Sequence, residues 1–156
     1  IGIGDGSNAK VQGSMAFANG KFSTAGDAQN CVYVLRNSTT TATATELFLD
    51  GATATQRIVL GTGQVSMFRI DVAAYRKDAS GGYAAYSFTG LIKRDTSAAT
   101  TAIVGSVSKT VIAESNTAWD ANVTADTTNG SIKITVTGEA SKTINWVAKV
   151  ETVEVM

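Results

Sequence analysis

From Ser131 to Thr137 the chain alternates strictly, with Ile132, Ile134 and Val136 on one parity and Lys133, Thr135 and Thr137 on the other. Successive side chains of an extended backbone point to opposite sides, so this pattern specifies a strand with one dry and one wet face. The turn dipeptide Asn129-Gly130 precedes the run and Gly138 closes it, which bounds it as a strand should be bounded. No stretch long enough for an amphipathic helix carries an i, i+3, i+4 apolar stripe. The best helical candidate is the short segment Ala25 to Asn30.

The same reading predicts strands at Cys31 to Arg36, Glu46 to Asp50, Arg57 to Leu60, Ala102 to Val104, Val107 to Ala113 and Trp119 to Ala125. Two long runs, Val65 to Lys77 and Tyr83 to Asp95, flank Asp78-Ala79-Ser80-Gly81-Gly82 and read as a hairpin. In its first arm Phe68, Ile70, Val72 and Ala74 share one face, and Arg69, Asp71 and Tyr75 the other. In the last run, Thr143 to Met156, Ile144, Trp146, Ala148 and Val150 keep one parity while Val153 and Val155 take the opposite one. That phase change predicts a bulge near Glu151 or a swap of buried face. The expected fold is all-β: an antiparallel β-sandwich or jelly-roll-like domain of about ten strands, with little or no helix. Residues 1–20, rich in loop formers, are expected as an extended opening segment, and residues 21–156 as one sandwich-like domain.

Composition narrows the chemistry. Among 156 residues there is no His and one Cys, which excludes His-based triads, His-containing zinc sites and an internal disulfide. A chain of this length removes roughly 68–70% of its unfolded surface from water, so it needs neither metal nor disulfide to fold. Thirteen basic residues balance thirteen acidic ones, leaving no general attraction to phosphate backbones or anionic lipid surfaces. Nucleic-acid binding and membrane insertion are therefore not expected, and neither is a cofactor. The chain opens Ile1-Gly2-Ile3-Gly4 rather than with Met, and is read as a processed chain or a fragment of something longer. Proline is absent; natural sheets commonly blunt exposed edges with Pro or Lys, so edges covered by another copy, and hence a homo-oligomer, are expected.

The stretch from Gly20 to Gln29, followed by Tyr33-Val34-Leu35-Arg36 and Thr39-Thr40, resembles bacteriophage tail fibre and tailspike proteins. So do Thr45 to Gly51 and, more loosely, Phe68 to Arg76 and Gly90-Leu91-Ile92-Lys93-Arg94. The resemblance implies a β-rich, usually trimeric module of a virion appendage, placed on the virion among other virion proteins and often near the receptor-binding end. It supplies no binding residues.

Those come from chemistry. Sugars are held by aromatic faces together with amide, carboxylate and guanidinium groups. Trp119, Asp120 and Asn122 offer a ring and two polar partners in a short span, the alternative being a Trp119 that is simply core. Arg76, Asp78 and Tyr83 form a second glycan-binding candidate at the hairpin loop, with cross-strand aromatic packing as its alternative. Trp146 and Cys31 read as core residues. Arg69, Arg76, Lys77, Lys93 and Arg94 would meet an acidic polysaccharide if they aligned on one face, or else pair with nearby carboxylates. Gly4-Asp5-Gly6-Ser7-Asn8 lacks the acidic series of a calcium loop and reads as a turn, so no metal site is assigned. Catalytic residues are not expected, because the spacing of the carboxylates specifies no glycosidase pair. The expected role is a structural and adhesive module that attaches to a bacterial surface polysaccharide. The alternative is a purely structural virion protein whose ligands are other copies or other virion proteins.

Overall fold

A computed structural model describes residues 1–51 and 56–156. Among the described residues eleven strands follow one another: β1 (Gly2–Ile3), β2 (Met15–Phe17), β3 (Ala28–Thr39), β4 (Thr45–Glu46), β5 (Ile58–Val59), β6 (Gln64–Arg76), β7 (Tyr83–Arg94), β8 (Thr101–Glu114), β9 (Asp120–Asp126), β10 (Ser131–Thr137) and β11 (Ile144–Val155). Among the described residues the only helical element is the 3-10 turn Ala98–Thr100. The all-β sandwich expected from the alternation is therefore the observed class.

Seven strands form one sheet in the order β1-β2-β3-β11-β6-β7-β8. The pairs are antiparallel except β1 with β2. The second sheet is built on β10, which pairs β9 along one edge and β4 and β5 along the other. Between the sheets lie Leu35, Phe68, Ile70, Val72, Tyr86, Phe88, Trp146, Ala148 and Val150 from the large sheet and Ala121, Val123, Ile132, Ile134 and Val136 from the small one. Trp146 and Trp119 meet there with ring centroids 6.0 Å apart, and the Trp146 indole donates to Thr39 Oγ1 at 3.0 Å.

Four local expectations are corrected, three of them here and the fourth in β8 below. No helix forms at Ala25 to Asn30: the Asp27 carboxylate accepts from the backbone N–H groups of Phe22, Ser23 and Thr24 at 2.9, 2.6 and 2.7 Å. It thereby closes a turn from which β3 departs. Glu46 to Asp50 is a strand only at β4, after which Phe48 bridges Arg36. And β11 has no phase change; Thr152 and Glu154 stay on the buried side while Val153 and Val155 face out. The physical reason is a polar cluster at that end of the sandwich. Glu154 accepts from Gln29 Nε2 (2.9 Å), Tyr33 Oη (3.1 Å), Thr152 Oγ1 (2.9 Å) and Lys10 Nζ (3.1 Å). A buried charge persists only when paired and hydrogen-bonded, and here the partners suffice. Burial raises the Glu154 pKa, but the Gln29, Lys10 and Thr152 hydrogen bonds and the Lys10 charge outweigh it, leaving the carboxyl below its ordinary range. Cys31, beside this cluster, is buried, and desolvation pushes its thiol up to about 11.

The two weak strands expected at Ala102 to Val104 and Val107 to Ala113 are one strand, β8, whose register against β7 slips twice. Gly105, with φ of 74°, supplies the left-handed residue at one slip. β8 is an edge of the large sheet, and such bulges are one of the ways sheets blunt an edge that lacks proline. Among the described residues, no helix is long and apolar enough to cross a membrane.

Candidate functional site

The sequence-derived candidates fall into two places: Trp119 and Arg76 line one polar cleft, and Tyr83 lies on the outer face of the large sheet. Trp119 is 2% exposed; its indole donates to Glu139 Oε2 at 3.3 Å, so it is a core residue rather than a stacking platform. Asp120 pairs with Lys109 and accepts from Asn122 Nδ2 at 2.7 Å. Burial raises the Asp120 pKa, but the hydrogen bonds from Lys109 and Asn122 outweigh it and the net shift is downward. Arg76 lies on the inner parity of β6 and binds Asp78 at 2.8 Å. Arg76 borders a polar cleft of about 180 Å³ with Ser115, Asn116, Trp119, Glu139 and Lys142. Tyr83 faces the other way, onto the outer side of the large sheet. The basic residues do not align either: Arg69 sits on the outer face beside Asp71 at 3.8 Å, whereas Arg94 Nη1 donates to the Leu60 carbonyl at 2.7 Å.

The outer face of the large sheet brings other residues together. Register places Ser38, Asn145, Tyr75 and Tyr83 side by side in one row across β3, β11, β6 and β7. The next row is Arg36, Val147, Ala73, Ala85 and, on β8, Ala113. The third is Val34, Lys149, Asp71, Ser87 and Thr110. On β6, β7 and β8 small alanines between rows of larger side chains form the floor of a furrow, while on β11 and β3 the same row carries the exposed Val147 and Arg36. Its wall rows are four residues apart along each strand, about 13 Å at the usual rise per residue. One wall is aromatic, with Tyr75 56% and Tyr83 53% exposed. The other is polar and held in place: Ser87 Oγ donates to Asp71 Oδ1 at 2.8 Å, and Lys149 Nζ lies 3.9 Å from Asp71 Oδ2 and 3.0 Å from Glu151 Oε1.

At its β3 end the furrow opens into a cleft of about 390 Å³, lined by Arg36, Asn37, Ser38, Asp50, Gly51, Asn145, Trp146 and Val147. After the Phe48 bridge the chain turns through Leu49 to Gly51, and Asp50 and Gly51 form the outer lip of the cleft. Gly51 is required there twice over: its φ is 87°, and a Cβ would stand 3.2 Å from Arg36 Cζ. Ser38 Oγ donates to Asn145 Oδ1 at 2.6 Å, which holds the amide at the edge of the cleft. Asn37 is committed to the fold, donating to the Glu46 carbonyl at 2.8 Å.

Such a surface suits binding. It has a flat aromatic wall, amide and hydroxyl groups held by neighbours, and a guanidinium on rigid strands. Among the described residues no group of three or more Cys, Asp and Glu side chains is arranged to hold a metal ion. Sequence reasoning grouped Tyr83 with Tyr75 at the hairpin but missed Asn145, Ser38 and Arg36 as their company. The parity of Tyr75 and the hairpin pairing were legible; the neighbours from β3 and β11 required knowledge of strand order. No family model matches the chain, and no curated protein matches its sequence.

Proposed function

We propose that this chain is a structural and adhesive module of a bacteriophage tail fibre or similar virion appendage, without enzymatic activity, that attaches to a host surface glycan through the outer face of its large sheet. The observation that carries the reading is the furrow, where Tyr75 and Tyr83 stand in register opposite a polar wall and beside the Arg36 cleft. Weak single sites of this kind become effective when repeated on one fibre, because effective concentration multiplies them without new contacts. A homotrimer on the virion is the arrangement in which this module would work.

The test is adsorption of purified, labelled protein to intact bacteria, competed with polysaccharide extracted from those cells. The double variant Tyr75→Ala/Tyr83→Ala is expected to lose adsorption and keep its thermal midpoint. Adsorption that survives the double substitution, or release of reducing ends from the polysaccharide, would defeat the proposal. The purely structural reading is favoured by one feature, the open 14-residue edge of β8 with Val111 and Ile112 exposed. Light scattering on the isolated chain separates the two. A self-assembling chain that never adsorbs to cells belongs to the structural class.

A further inference from the structure

The furrow has a direction and a charge, and both bear on the ligand. Its alanine floor crosses β6, β7 and β8, and the same row continues past the exposed Val147 on β11 to Arg36 on β3, about 19 Å from β3 to β8 at the usual strand spacing. Its floor is apolar and small at Ala73, Ala85 and Ala113, so an extended chain can lie along it, whereas one sugar ring would fill only a part. At the β3 end stands Arg36. Its Nη2 donates to the Asp50 backbone carbonyl at 3.4 Å, and among the described residues no carboxylate forms an ion pair with it. The Asp50 carboxylate lines the same cleft but accepts from the Gln56 N–H at 3.3 Å. The other outer-face cations nearby are already matched, Lys149 by Asp71 and Glu151, and Arg69 by Asp71. Among the described residues Arg36 is thus a guanidinium at this face that forms no ion pair, and a planar fork of donors fits a carboxylate in two parallel hydrogen bonds.

We infer that the furrow takes a linear acidic oligosaccharide laid across the strands, with a uronic-acid carboxylate bound at Arg36 and sugar faces against Tyr75 and Tyr83. This rests on the glycan reading above and goes beyond it in naming length, direction and charge. The Asn145 amide donates to a hydroxyl of the sugar next to the carboxylate, and the Ser87 and Thr110 hydroxyls bind along the opposite wall.

Hexasaccharides of polygalacturonic, polymannuronic and polyglucuronic acid provide the probes. Each is compared by calorimetry with its carboxyl-reduced counterpart, which keeps the linkage and removes the charge, and with the corresponding monosaccharide. At least one acidic hexasaccharide is expected to bind at least about tenfold tighter than its reduced form. Arg36→Ala is expected to erase that difference, Arg36→Lys to restore only part of it, and Tyr75→Ala to weaken both forms by about tenfold. The monosaccharide is expected to bind far more weakly than the hexamer. Equal binding of acidic and reduced forms overturns the inference while leaving the glycan reading standing. Binding by no member of any pair overturns the inference, and the glycan reading falls only if adsorption to cells also fails. Dimerisation abolished by Tyr75→Ala would show the face to be covered by a second copy, and would overturn both.

Discussion

The two faces of β3, β11, β6 and β7 are made by the same residues in alternation and do opposite work. The inner face carries Leu35, Trp146, Ala148, Phe68, Ile70, Tyr86 and Phe88, each at most 1% exposed. The outer face of those strands carries Arg36, Asn145, Lys149, Asp71, Tyr75 and Tyr83, with alanines between. A substitution at one position is felt through packing, and at the next through contact with whatever lies on the sheet. Stability and, on the function proposed above, recognition are thereby encoded on one backbone with little interference, which is the advantage of period two.

The sharpest break of that comparison is at the tryptophan. Trp146→Ala is expected to cost about 3–5 kcal/mol in urea unfolding, with Trp119→Ala acting in the same direction, whereas Tyr75→Ala is expected to stay within about 0.5 kcal/mol. A tyrosine variant as damaging as Trp146→Ala would mean that the outer face is packed rather than open.

Next in size is the polar end of the inner face. Lys10→Met leaves Glu154 buried without its cation, and a loss of about 3 kcal/mol near neutral pH is expected. The sign with pH follows from the direction of the shift. Glu154 is held below its ordinary value in the folded chain, so its contribution is complete above the unfolded value of about 4.3 and disappears as pH falls through the lowered one. Thermal midpoints measured between neutrality and strong acid should therefore fall for the wild type. The gap to Lys10→Met should narrow as the carboxyl takes up its proton. A gap independent of pH would mean that Lys10 acts by packing its stem and not by its charge.

The smallest effect is expected on the outer face. Lys149→Ala removes ion pairs whose side chains are between 38% and 47% exposed, and exposed pairs contribute about 0–1 kcal/mol. Added salt should shrink even that difference in unfolding experiments.

How far the sequence could be read depends on where polar residues went. β10 and the β6–β7 hairpin were legible because apolar side chains keep one parity and Asn129-Gly130 and Asp78 to Gly82 mark the turns. In β11 the same logic failed at its end, since Thr152 and Glu154 are buried and Val153 and Val155 are not. Hydropathy cannot anticipate a buried carboxylate whose partners, Lys10 and Gln29, lie 144 and 125 residues away along the chain. Trp119 was legible either as a stacking ring or as core; it is core, because its polar neighbours in sequence, Asp120 and Asn122, point away from the ring that fills the interior.

Local alternation and turn chemistry therefore settled the class of fold, the hairpin and the parity that sends Tyr75 and Tyr83 to one side, because each is a property of a few consecutive residues. The order of strands in the sheet did not follow from them. Placing β11 between β3 and β6 is what sets Asn145 beside Tyr75 and Arg36 beside Val147. That choice depends on burying a whole face at once, a sum over distant segments that only the assembled chain can make.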